Sequence, residues 1–192
     1  LTSDARAAAA DGELTEREIG VQLAGVSLAG SGATGTGAAS TLSQLLQHPD
    51  QWAMVCADPE RWKKAAVEEG LRYDPPVGSV GRVALQDLDI DGVAVPAGRV
   101  VSISLVSALR DPDVYPDPDR FDIRRTGLPR WNIAFGHGAH RCLGEALARA
   151  EMEEAIATIA RLAPGTRIIG KPPTITGHVA IRAIDAMTVE FA

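Results

Sequence analysis

The chain has 192 residues, 45% of them hydrophobic and 23% charged, which suits one soluble globular domain with a real core. Its formal charge of −6 excludes a strongly basic nucleic-acid binder and leaves room only for local basic patches. Its two cysteines, Cys56 and Cys142, exclude a disulfide framework; no CxxC pair, signal peptide or spanning stretch is visible, so a cytoplasmic setting is expected.

In chain order, "LTEREIG" opens with Thr15 and Glu18 at capping-box spacing. No proline follows before Gln47, which predicts one long helix ended by "HPD" at 48–50. "QWAMVCADPERW" reads as a short helix closed by Pro59, and "RWKKAAVEEGLRY" as a further helix stopped by "DPP" at 74–76. The period then changes. "GRVALQDLDIDGVAVPAGRVVSISL" alternates and carries a hairpin turn at Asp91-Gly92. "LRDPDVYPDPDRFD" is rich in aspartate and proline and predicts an irregular, ordered loop. "CLGEALARAEMEEAIATIARL" shows helical spacing to about Leu162, and "PPTITGHVAIRAIDAMTVEFA" ends the chain as a strand pair. The fold class is therefore mainly α with small β-sheets (α+β).

The chemistry concentrates in "FGHGAHRCLG", residues 135–144. Gly136, Gly138 and Gly144 let the backbone approach a bulky ligand or take positive φ. Cys142 falls at a helix N-terminus, where unpaired N–H groups and the helix dipole favour a thiolate. Cys56, within the apolar "WAMVCA", reads as inert core. Four readings of Cys142 stand open. A nucleophile wants a base, and His137 and His140 are near in sequence. Zinc wants three or four ligands, and no second ligand pair has the spacing. A redox sensor needs only exposure. A haem ligand needs one thiolate, a glycine-lined approach and cationic groups, which His140 and Arg141 offer. "GSGATG" at 30–35 fits G-x-G-x-x-G, but no strand precedes it, so a dinucleotide loop is not expected.

Phe135, Gly136, Gly138, His140, Cys142 and Gly144 match F-G-x-G-x-H-x-C-x-G, and the chain here resembles the cytochrome P-450 family of soluble bacterial type. Glu69 and Arg72 in "EGLR" resemble that family's E-x-x-R helix, and Arg120 in "PDRF" resembles the arginine completing its buried ion-pair network. The resemblance implies the following roles. Cys142 is the axial thiolate of haem b (iron-protoporphyrin IX), with Phe135 packed beside the sulfur. His140 and Arg82 hold the propionates, and Ala29 and Gly30 on the long helix also border the haem. Leu28, Ala29, Val77, Gly78, Ala180 and Ile181 face substrate, while Glu69, Arg72 and Arg120 are structural. It also implies that residues 1–192 form the haem-ligating C-terminal half of the fold, the N-terminal half being absent.

One departure from the family stands out. Its long helix usually carries an acid–alcohol pair in A-G-x-[D/E]-T. The matching stretch here is "AGSGAT", residues 29–34, with Gly32 at the acid position and Ala33 at the alcohol position. Thr34 comes one residue late, a rotation of about 100° on a helix. The implied function is a haem-thiolate monooxygenase inserting one oxygen atom from dioxygen into a small, mainly apolar organic substrate, of biosynthetic kind. It would be fed by a ferredoxin-like electron donor docking near Arg130, Arg141 and Arg149. The alternatives are a peroxide-using or oxidative-coupling enzyme, motivated by Gly32 and Ala33, and a haem-binding module without turnover.

Overall fold

The computed structural model describes residues 3–4, 7, 10, 12, 14–129, 132–177 and 180–192. The chain forms two compact units, Leu1–Gly32 and Ala33–Ala192. Helix α1 spans Glu16–Gln47. It begins with the expected capping box: Glu18 N donates to Thr15 Oγ1 at 3.2 Å and Thr15 N donates to Glu18 Oε2 at 2.8 Å. Both orphan donors are thereby satisfied. In the first unit α1 is mostly exposed, and its glycines at 20, 25, 30 and 32 leave open space where a Cβ would stand. "GSGATG" lies inside this helix, so it forms no phosphate loop.

The second unit holds the core. Helix α2 (Pro49–Ala57) and helix α3 (Pro59–Tyr73) each start with proline at N1, where the missing N–H costs nothing. The Asp58 side chain caps α3 by accepting from Arg61 N at 3.1 Å. Helix α4 is the single turn Leu105–Ala108, and helix α5 spans Glu145–Leu162. Leu45, Val55, Val67, Leu71, Met152 and Ile156 from α1, α2, α3 and α5 form one buried cluster. Two glycines permit close helix–helix approach. A Cβ at Gly70 would stand 2.0 Å from Thr41 Oγ1, and one at Gly37 would stand 3.1 Å from Met152 Cε.

The sheets are small. Strand β1 (Ser79–Val83) pairs antiparallel with β4 (Val100–Ser104), enclosing the hairpin β2 (Leu88–Ile90) and β3 (Val93–Val95). Asp91 and Gly92 turn that hairpin with φ of 49° and 82°, the type I′ pattern. The C-terminal region differs from a simple strand pair. Strand β6 (Ile175–Thr176) pairs with β7 (Ala183–Ile184), but β8 (Val189–Glu190) pairs with β5 (Arg167–Ile168), outside the expected segment. Two-residue strands are too short for a period-two signal to be read.

The aspartate-rich segment after α4 is irregular and ordered, as expected. Gln51 anchors it from α2: its Nε2 donates to Phe121 O, and Ile123 N donates to its Oε1, both at 2.9 Å. Phe121 and Ile123 are buried in the core. Among the described residues no helix is long and apolar enough to cross a membrane.

Candidate functional site: a loop thiol braced by two carboxylates

Cys142 lies in the loop between a 3-10 turn, Ile133–Phe135, and α5. The sequence places it at the helix N-terminus, and in the fold it stands two residues before the N-cap Gly144. Gly136 and Gly138 have φ of 76° and 85°, left-handed values that favour glycine. They reverse the chain so that Cys142 N donates to Phe135 O at 2.9 Å. Gly144 has an ordinary helical-side φ of −85°. The Cys142 thiol is exposed. Cys56 is half-buried, with Sγ 3.8 Å from Pro164 O, and burial pushes its thiol pKa up. The two sulfurs thus have different surroundings.

The residues around the thiol fit a flat apolar ligand. Leu143 and Leu147, next to the cysteine and one turn further, are 91% and 64% exposed. Burying such side chains is worth roughly 1.5–3 kcal/mol each, so a macrocycle lying against them is favoured. His140 in the loop and Arg82 on β1 are both exposed cationic candidates, the latter with Nη1 donating to Gly81 O at 2.8 Å. Among the described residues no three His, Cys, Asp or Glu side chains gather to hold a metal ion. The donor set is therefore one sulfur rather than a cluster.

A second arrangement is a buried ion pair on α3. Arg72 Nε and Nη2 donate to the two Glu69 carboxylate oxygens at 2.7 and 2.8 Å, and both side chains are 1% exposed. Arg72 also donates to the carbonyls of Leu109, Pro118 and Arg120 at 3.1, 2.7 and 3.0 Å. The second arginine of this network is Arg125, which corrects the expectation for Arg120. Arg125 Nε lies 3.3 Å from Glu69 Oε2 and its side chain is 9% exposed. The Arg120 side chain is 60% exposed and pairs with Asp122 at 3.2 Å, so only its carbonyl serves the network. The physical reason is a turn: after the buried Phe121 the chain reverses, with Arg125 N donating to Asp122 O at 3.2 Å, which brings the Arg125 side chain back to Glu69 and leaves Arg120 outside.

Four of the substrate-facing candidates come together. Gly78 N donates to Ala180 O at 2.8 Å, and Val77 forms an antiparallel bridge with Ile181. Ala180 holds a φ of 53°, which is strained for a residue with a Cβ. The buried Arg182 secures this turn, donating to Pro75 O and Gly177 O at 3.2 Å each. Burial lowers its pKa, against the nearby Asp74 carboxylate, which raises it. Leu28, Ala29 and Gly30 lie on the exposed stretch of α1 in the first unit. Thr34 is half-buried in the second unit, and the Ser31 hydroxyl donates back to Leu28 O at 3.2 Å.

Sequence reasoning missed Glu68, Asn132 and the role of Arg149. Arg149 lies over the Phe135 ring at 4.4 Å and pairs with Glu68 and Glu145. Arg141 pairs with Glu145 at 2.6 Å and donates to Gly136 O at 2.7 Å. Arg141 and Arg149 thus brace the loop through acids. Arg130 lies outside the described residues.

One exposed thiol, on a glycine-turned loop ahead of a helix, is the candidate single-sulfur ligand. Residues 63–161 match the family model described as cytochrome P450, and the chain belongs to that family, whose members bind haem. It is 44% identical over 147 residues to the plant-inducible cytochrome P450-pinF1 of Rhizobium radiobacter, covering 77% of this chain and 34% of that protein. It is 42% identical over 185 residues to luteothin monooxygenase of Streptomyces thioluteus, covering 95% of this chain and 43% of that protein. Among solved structures, cytochrome P450 CREJ in complex with (4-ethylphenyl) dihydrogen phosphate superposes with a TM-score of 0.92 at 32% identity, over 100% of this chain and 48% of that one. The chain thus spans under half the length of these relatives.

Proposed function

We propose that this chain is the haem-ligating part of a monooxygenase that inserts one oxygen atom from dioxygen into a small, mainly apolar organic substrate in a biosynthetic step. The observation that carries the reading is the exposed Cys142 on its glycine-turned loop, beside exposed Leu143 and Leu147. Bound there, haem b supplies dioxygen binding and, through an electron-rich sulfur ligand, O–O bond cleavage. Cys142 Sγ would hold the iron, with Phe135 beside it. His140 and Arg82 neutralise the propionates. Gly136, Gly138 and Gly144 would keep the backbone close to the haem, and the family resemblance assigns Ala29 and Gly30 to its border. Val77, Gly78, Ala180 and Ile181 form an apolar group that orients substrate, and the family resemblance assigns Leu28 a substrate-facing role as well. The Gly78–Ala180 hydrogen bond supports their grouping. Activity needs the part of the family's fold that this chain does not span. A ferredoxin-like protein in the cytoplasm delivers the electrons.

The proton route is specific to this sequence. Gly32 and Ala33 have no side-chain proton to give, so the proton is held at Thr34 Oγ1, at an ordered water or at a substrate hydroxyl. The same two residues support a second reading, a peroxide-using or oxidative-coupling enzyme. The reading is tested on the haem-loaded protein. Cys142→Ala should abolish the thiolate-type carbon-monoxide difference band and Cys56→Ala should keep it; an unchanged band without Cys142 overturns it. Turnover with dioxygen and a reductase, against turnover with peroxide alone, separates the two enzymes.

A further inference from the structure

Glu68 and Glu69 are neighbours on α3 but serve different neighbours, as about 100° of rotation per residue requires. Glu69 faces Arg72 and Arg125. Glu68 faces the thiol loop from both ends. Its Oε2 accepts from Asn132 Nδ2 at 3.1 Å, and Asn132 Oδ1 in turn accepts from Ala134 N at 3.0 Å, capping the turn that carries Phe135. Its Oε1 pairs with Arg149 Nε on α5, whose guanidinium lies over the Phe135 ring. Through Glu145 and Arg141 the same network reaches Gly136 O. All four charged side chains are about one-fifth exposed, well removed from free surface pairs.

We propose that Glu68 is a positioning residue for the thiol loop, acting through Arg149 and Asn132 to fix Phe135, whose carbonyl accepts the Cys142 N–H, and so to set the donor strength of the sulfur; this rests on the haem-thiolate reading above. Groups that orient a ligand tune it nearly as strongly as the ligand itself. A purely structural role, holding α3 to α5, is the competing account. Lys63 supplies the control, since it pairs with Glu60 at 2.7 Å and joins α3 to Glu154 on α5 without touching the loop.

The test measures the iron reduction potential, the carbon-monoxide band and the thermal midpoint of the haem-loaded protein. Glu68→Gln keeps the size but removes the negative charge facing Arg149. It should change the ratio of ferric to ferrous haem affinity about tenfold, which is about 59 mV for one electron. Glu68→Asp should recover most of that change. Lys63→Met should lower the thermal midpoint with the potential unmoved. If Glu68→Gln does not fold, Arg149→Lys, which keeps charge but loses the planar fork, carries the same expectation. The proposal is overturned by a thiolate-banded variant with the parent's potential, or by Lys63→Met moving it equally. A parent without a thiolate band overturns the haem-thiolate reading and the proposal with it.

Discussion

Replacing Arg125 by methionine, and Arg120 by methionine in a parallel variant, separates the inward arginine from the outward one. Arg125 gives Glu69 its second cation at 3.3 Å and donates to the carbonyls of Asp117 and Arg120 at 3.1 and 2.8 Å, with a further bond to Pro116 O. Removing one partner of a buried pair costs about 3–5 kcal/mol when the other charge is left bare. Here Arg72 still holds both Glu69 oxygens, so the loss is smaller, and the freed carbonyls near the surface regain water. Charged hydrogen bonds at roughly 1.5–3 kcal/mol each, discounted in that way, give about 2–4 kcal/mol for Arg125→Met. Arg120 is 60% exposed with one pair at 3.2 Å to Asp122, so Arg120→Met should cost about 0–1 kcal/mol. Equilibrium urea unfolding of both variants, compared at equal slope, reads the difference directly. If Arg120→Met costs as much as Arg125→Met, the turn that brings Arg125 back to Glu69 is wrong as an explanation.

Gly70→Ala should destabilise by about 1–3 kcal/mol through overpacking, because its Cβ would stand 2.0 Å from Thr41 Oγ1; an unchanged denaturation midpoint would contradict that contact. Gly25→Ala meets nothing within 4 Å and should instead add about 0.5–1 kcal/mol to α1, read as higher helicity on heating. Burial pushes the Glu145 carboxyl up, but hydrogen bonds from Arg141 and Arg149 outweigh it and hold it below the usual carboxylate value. A carboxyl depressed in the fold stabilises above its unfolded value, about 4.3, and loses that contribution as pH falls through the folded value. Glu145→Gln should therefore cost stability at neutral pH and progressively less in acid, and an equal cost at both ends would refute the linkage. Changing His140 and Arg82 to leucine together should speed haem loss without moving the thiolate band; parental loss rates would remove both from the propionate role.

Local devices were legible in the sequence because their partners are close in sequence. Thr15 and Glu18 close their box across three residues, and the Asp91-Gly92 turn follows from its two residue types. The stop at "HPD" and the thiol loop with its left-handed Gly136 and Gly138 read out for the same reason. What escaped was long-range. The pull of "PDRF" toward Arg120 hid the turn that brings Arg125 inward. Glu68 meets Asn132 and Arg149 across separations of 64 and 81 residues, which no local spacing encodes. The β5–β8 pair joins strands only two residues long, below any periodic signal.

Adjacent carboxylates on α3 give two distant segments a common phase. The aspartate-rich loop takes its bearing from Glu69 and the thiol loop from Glu68, so both are indexed to a single turn of one helix. A one-residue insertion between Pro59 and Glu68 would rotate both carboxylates by about 100° at once. Neither loop could then be restored by changes confined to itself. Either loop can be lengthened or recomposed away from its contact with α3, but the helix between Pro59 and Tyr73 cannot change length by one.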